Sequence, residues 1–158
     1  MTNTSTNTSL SHQEKTIAGP APKSVIREVP IEQVLDLRHR VMYPELEPDA
    51  VKLPDDEDGL HLGLCIDSKV VSVVSLFQRG QTLQFRKFAT DMAEQGKGYG
   101  SQLLCHVMDF AAAGQWESIW CNARKTAAGF YEKTGMGMTG ETWIQYGHEF
   151  IRMEKKFK

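Results

Sequence analysis

Between Leu60 and Asp91 the apolar residues crowd into three short runs, "LHLGLCID", "SKVVSVVSLFQRG" and "QTLQFRKFATD", rich in β-branched side chains. Only polar turns near Asp67-Ser68 and at Arg79-Gly80-Gln81 separate them, a pattern that predicts an antiparallel meander. On either side the period changes. In "IEQVLDLRHRVM", opened by Pro30, the apolar residues Ile31, Val34, Leu35, Leu37, Val41 and Met42 fall mostly at helical spacing. In "SQLLCHVMDFAAA", Leu103, Leu104, Val107, Met108 and Ala111 share one helical face. "SVIREVP" reads as a first strand and "SIWCNAR" as a short buried one. "KTAAGFYEKTG" reads as a helix closed by Gly135, and "MTGETWIQYG" and "HEFIRMEKKF" as two final strands parted at Gly147-His148. Only the strand–helix–strand around residues 83 to 123 needs a crossover, and hence parallel pairing. The expected class is α+β: a mixed, mostly antiparallel central sheet of about six to seven strands flanked by helices.

Composition narrows the function. With 158 residues the chain suits one domain with a single core. The 18 Lys and Arg against 20 Asp and Glu leave a net charge of −2, which argues against a nucleic-acid binder working by bulk electrostatics. No apolar run approaches the roughly 20 residues needed to span a bilayer, so no membrane partner is expected. No basic stretch followed by an apolar one marks a secretory leader at the N-terminus. Cys65, Cys105 and Cys121 are widely spaced in apolar segments without metal-ligand spacing. They read as reduced core thiols of a cytoplasmic protein, with no metal. Residues 1–23 are Thr/Asn/Ser-rich and end near "GPAP", the composition of a disordered tail, which leaves 24–158 as the single domain.

One stretch carries candidate chemistry. "EQGKGYGSQLL" places Gly96, Gly98 and Gly100 between a strand and an amphipathic helix. Such a turn lets backbone N–H groups approach a phosphate, and the helix N-terminus favours negative charge. A Walker loop is excluded because no Lys-Ser/Thr pair closes it. A dinucleotide fingerprint fails because its third glycine would fall at Ser101. What remains is Gln95-x-x-Gly98-x-Gly100, which a flexible helix entry would also satisfy.

"LQFRKFATDMAEQGKGYGSQLL" resembles motif A of the GNAT superfamily of N-acetyltransferases, with its Q/R-x-x-G-x-G/A signature after a strand. "NARKTAAGFYEKTGM" is similar to the family's later segment, and the element order above is the family's order. The resemblance covers about Val25 to Phe157, and is closest to small single-domain bacterial members through Leu37-Arg38 with Val41, His61 and Ala123-Arg124. It implies a GNAT-like fold and acetyl-CoA as co-substrate. The pyrophosphate would lie on the backbone of Gln95, Gly96, Lys97, Gly98, Tyr99, Gly100 and Ser101, and the pantetheine arm along Phe88, Ala89 and Thr90. Asn122, Arg124, Ala127 and Phe130 would complete the cofactor wall, with Ala128 beside them. Many relatives carry Asn where this chain has Arg124, which leaves that position open to the cofactor or to an acidic acceptor.

Tyr131 stands where many members place the tyrosine that protonates the leaving thiolate, and so also beside the cofactor. The base that frees the acceptor amine has three candidates, His61, Glu47 and His148, with His61 taken first. Cys121 lacks a supporting His/Asp arrangement and reads as core. The implied reaction is direct transfer of acetyl to a primary amine of a small molecule or peptide. The alternative of the same fold is a non-catalytic acyl-CoA sensor or interaction module. Homodimers are common in the family. The acidic loop "ELEPDAVKLPDDED" could attract a cationic acceptor, although acidic surface loops are usually just solvated.

Overall fold

The computed structural model describes residues 10–17 and 24–158. Its strands are β1 (Lys15–Ile17), β2 (Ser24–Glu28), β3 (Leu60–Ile66), β4 (Lys69–Arg79), β5 (Thr82–Thr90), β6 (Ser118–Arg124), β7 (Gly137–Gln145) and β8 (His148–Lys156). They form one eight-stranded sheet in the order β1-β2-β3-β4-β5-β6-β8-β7. The α+β class is as expected, with one strand more than the sequence suggested. The extra strand, β1, falls inside the stretch expected to be disordered and corrects that reading for Lys15–Ile17. It pairs antiparallel with β2, whose outer edge would otherwise leave its backbone donors and acceptors open. The rest of that stretch, residues 1–9 and 18–23, lies outside the described residues.

The meander forms because its hairpin turns match the strand twist. Asp67 and Ser68 both take positive φ, at 49° and 72°, as the tight turn between β3 and β4 requires. Val71 to Phe77 are buried throughout, so β4 is covered on both faces. On one face lies α2 (Tyr99–Ala113), which buries the five residues its spacing predicted, with the short α3 (Ala128–Glu132) beside it. On the other lies α1 (Ile31–Leu37), packing Val34 and Leu37 against Val29, Cys65, Val73 and Ala89. Cys65 and Cys121 are core residues as expected. Cys105 is exposed, because it falls on the side of α2 opposite Leu104 and Val107.

Among the irregularities of the described residues, two lie beside the candidate site, one at the end of α1 and one within β5. The first helix does not run evenly to Met42. Residues Arg38–Met42 form a π-helical turn, a widening that often marks functional sites. It carries the fully buried Arg38 inward. In β5, Ser75 faces Arg86 and Val73 faces Ala89, so Val74 alone stands opposite Lys87 and Phe88. This is a β-bulge, and Lys87 absorbs it with a φ of 57°.

Candidate active site

Among the described residues the only parallel pairing in the sheet is also its shortest ladder between long strands. β5 and β6 pair at Thr82–Ser118, Leu83–Ile119 and Gln84–Trp120 and then part. From there β5 follows β4 as far as Thr90, while β6 follows β8 as far as Arg124. The wedge between them is a cavity of about 390 Å³. Phe85 to Phe88 line one side and Cys121 to Arg124 the other, with Tyr131 from α3 and Tyr43 from the segment after α1 also contributing. The bulge helps to open it, since a strand that bends at Lys87 cannot keep step with its neighbour.

Tyr131 packs against the rings of Phe85 and Phe130, with centroids 5.6 and 5.1 Å away. Burial, with the nearby Cys121 thiol adding to it, pushes its phenol well above the ordinary tyrosine range. The hydroxyl therefore keeps its proton at neutral pH and can only donate it to a stronger base. Burial likewise pushes the Cys121 thiol up to about 12. A thiol held neutral is a poor nucleophile, in keeping with a core role.

The glycine loop enters α2 behind the same wedge. Gly98 is the residue before the helix, at φ 86°, and no side chain caps that end. The first amides of α2 are thus left without a capping acceptor, an arrangement that fits an anion. Gly96 also has positive φ, 82°. Gly100 has a different reason to lack a side chain: a Cβ there would lie 3.2 Å from Thr90 Oγ1 and 3.7 Å from Phe130 Cζ and Phe88 Cε1. Gln95 donates from Nε2 to the Thr90 carbonyl at 3.0 Å, tying the loop to the end of β5. Lys97 is half-exposed and pairs with Glu94 at 2.9 Å, so its charge is already partnered. Tyr99 and Ser101 occupy the first turn of α2.

Phe88 stacks edge-on against Phe130 at 5.8 Å, facing α2 and α3. Thr90 Oγ1 bonds Ser72 Oγ at 2.9 Å, and Ala89 is buried against the α1 side. On β6 the buried Ile119, Cys121 and Ala123 face α2, which turns Asn122 and Arg124 to the opposite face by strand alternation. Ala127 lines the wedge, and Ala128 is buried.

His61 stands apart from these. It does not line the wedge, and both its ring nitrogens are engaged, Nδ1 with Ser75 Oγ at 2.7 Å and Nε2 with the Asp56 carbonyl at 2.8 Å. The structure thus does not bring His61, the first candidate base, to the wedge, and both its ring nitrogens already have partners. Glu47 is also absent from the wedge, whereas His148 borders an outer cavity of about 580 Å³ that shares Lys87 and Arg124 with it. Sequence reasoning missed Arg86, Lys87 and Tyr43. The basic pair in "FRKFATD" was visible, but strand alternation would have sent one of the two to the other face.

A family model for the acetyltransferase (GNAT) domain matches residues 30–157. The chain belongs to the GNAT acetyltransferase family. This GNAT domain is 28% identical over 125 residues to YitI of Bacillus subtilis, an uncharacterized N-acetyltransferase, covering 73% of this chain and 84% of that one. The fold is also that of the ribosomal-protein-S18-alanine N-acetyltransferase of Escherichia coli, with a TM-score of 0.74, 16% identity and coverage of 85% and 94%. A second structural relative is a Bacillus subtilis acetyltransferase in complex with CoA, with a TM-score of 0.65, 17% identity and coverage of 84% and 97%. The GNAT assignment makes the protein an acetyltransferase. The non-catalytic sensor is not favoured. Among the described residues no helix is long and apolar enough to cross a membrane, and no group of three or more acidic, His or Cys side chains could hold a metal.

Proposed function

We propose that this GNAT domain moves an acetyl group from acetyl-CoA directly to a primary amine of a small molecule or peptide. The observation that carries the reading is Tyr131, a proton-bearing phenol in the wedge where β5 and β6 part. The backbone from Gln95 to Ser101 would hold the pyrophosphate, and the edge of β5 at Phe88, Ala89 and Thr90, left unpaired by β6, would take the pantetheine amides as a strand takes a neighbour. When bound, the co-substrate supplies a thioester carbonyl that an amine can attack.

The chain's own part is then positional and acidic. The β5 and β6 walls align the amine with that carbonyl and keep bulk water from competing. As the carbon–nitrogen bond forms and the carbon–sulfur bond breaks, Tyr131 Oη gives its proton to the departing sulfur and regains one from solvent. The proton lost by the amine passes to water or to His148 at the outer cavity. The test is thiol release from acetyl-CoA across a panel of amines, with the acetylated product identified by mass. Binding of acetyl-CoA with no thiol release from any amine would overturn the reading.

A further inference from the structure

The wedge walls are cationic to a degree that the reaction itself does not need. Arg86 and Lys87 enter from β5 and Arg124 from β6, and all three line the same cavity. Among the described residues no carboxylate lines that cavity, and Glu45 is the only one bordering the outer cavity. Of the five other arginines, four pair with carboxylates, while among the described residues Arg27 donates only to the Glu28 carbonyl. Arg38, Arg40, Arg79 and Arg152 each meet a carboxylate, at 2.8, 2.9, 2.7 and 3.9 Å. Among the described residues none of the three wedge cations makes such a pair. The acidic groups near enough to help, Asp55 and Asp56, are committed to Arg79 and Arg38.

The cluster has costs that a bound anion would offset. Burial, and beyond it the repulsion of Arg86, Arg38 and Arg124 against the pull of Asp56, holds Lys87 below the ordinary lysine range. Burial also lowers Arg86, with Arg79 and Arg38 adding to the effect against Asp55 and Asp56. Lys87 further accepts a φ of 57°, a conformation that L-residues avoid, and its ammonium group lies 5.0 Å above the Tyr43 ring. Strain and unpaired charge that gather at one cavity call for a ligand that compensates them.

We propose that the acceptor is an amine that also bears an anionic group, a carboxylate or a phosphate, held by Arg86, Lys87 and Arg124 in the wedge between β5 and β6. This rests on the acetyl-transfer reading and names its substrate class. The anion sits on the guanidinium and ammonium groups, while the amine of the same molecule points toward Tyr131. In the acidic loop 45–58, which suggested a cationic acceptor, Asp55 and Asp56 brace Arg79 and Arg38, and of its acidic residues only Glu45 borders the outer cavity.

The experiment compares matched amines with and without the anion: phenylalanine with phenethylamine, lysine with cadaverine, and O-phosphoethanolamine with ethanolamine. Thiol release should favour the anionic member of a pair at least tenfold in kcat/KM, and the pair that responds tells carboxylate from phosphate. Arg124→Gln and, independently, Lys87→Gln should raise KM for the anionic member about tenfold, the effect of one lost charged contact. The readout is the ratio of anionic to neutral kcat/KM at saturating acetyl-CoA, which should fall about tenfold in each variant whatever either does to acetyl-CoA affinity. Equal or better use of the neutral amines, or variants that slow both members alike, would overturn the proposal. Should no amine release thiol, the acetyl-transfer reading fails, and calorimetry with CoA present still decides the anion site. There N-acetyl-phenylalanine should bind at least tenfold tighter than N-acetyl-phenethylamine and lose that margin in Arg124→Gln. Equal affinity or absence of binding sinks it.

Discussion

Arg38 and Asp56 form a two-pronged ion pair beneath the sheet, Nη2 to Oδ1 at 2.8 Å and Nη1 to Oδ2 at 2.9 Å. Arg38 is wholly buried, and it also donates to the Val51 carbonyl at 3.1 Å and to Ser75 Oγ at 2.9 Å. His61 completes the network through Ser75 and the Asp56 carbonyl. The pair thus fastens the loop of residues 51–56 to the π turn and to β4, next to the residues that open the wedge.

Arg38→Ala should destabilise the fold by roughly 3–5 kcal/mol, because it leaves a carboxylate without its partner in a confined setting. Chemical denaturation with an unchanged slope would measure it. A loss below about 1 kcal/mol, the range of a surface pair, would contradict a structural role for this pair.

The same pair gives stability a defined acid limb. Burial alone would raise the Asp56 pKa, but hydrogen bonds from Arg38 and the Leu53 amide, with the Arg38 charge, bring it below the ordinary 3.8. A depressed carboxylate contributes stability that is complete above its unfolded value and is lost as pH falls through the folded one. Thermal unfolding should therefore show the Asp56 contribution intact above about pH 4 and disappearing below it. In Asp56→Asn that portion of the acid limb should flatten.

Tyr131→Phe should lower turnover by about 10²-fold or more while acetyl-CoA affinity changes little, since only the proton is removed. Because the phenol is held above its ordinary value of 10, its ionisation should not cut the rate anywhere below that pH. A wild-type alkaline limb near pH 8 that vanishes in Tyr131→Phe would contradict this protonation state.

Gly98 and Gly100 should fail in different ways. Gly98→Ala meets no neighbour within 4 Å, so its cost is conformational, about 1–2 kcal/mol for a left-handed residue. Gly100→Val must displace Thr90 and Phe88, and should weaken acetyl-CoA binding as well as stability. Thermal shift with and without acetyl-CoA separates the two. Equal ligand-induced shifts in both variants would remove Gly100 from the site.

Thiol labelling should find Cys105 alone in the native protein, because it is exposed whereas Cys65 and Cys121 are buried. Burial raises both buried thiols, Cys121 to about 12. Peptide mapping after brief alkylation at neutral pH would show it. Modification of Cys121 in folded protein would reopen a covalent role.

Most of the architecture was legible because it rests on local periodicity. The runs from Leu60 to Asp91 declare their strands by β-branched content and short turns, and Leu103 to Ala111 declare the α2 face. What escaped depends on partners distant in sequence. β1 exists because β2 has an open edge, which the polar residues around Lys15 cannot announce. The bulge at Lys87 is set by register against β4, and "FRKFATD" on its own reads as an unbroken strand. His61 looked like a free base because its two partners lie five and fourteen residues away in chain order. Tyr131 and the Gln95–Ser101 loop, in contrast, stand out in compact local motifs, and the structure puts Tyr131 on the wedge and the loop at the start of α2.

The ladder between β5 and β6 holds only three residue pairs, so the sheet's main chain should open there as two cooperative units. β1 to β5 are laced together on one side and β6 to β8 on the other, with Thr82–Gln84 as the seam. Local opening follows the weakest lacing. The amides of Arg86 to Ala89 and of Asn122 to Arg124 that face the wedge should therefore exchange with solvent ahead of those buried in the β3–β4 ladder. A molecule lodged across that seam acts as a fastener between the two units. It protects both sets of amides together, and this makes hydrogen exchange a direct way to see what the wedge was shaped to hold.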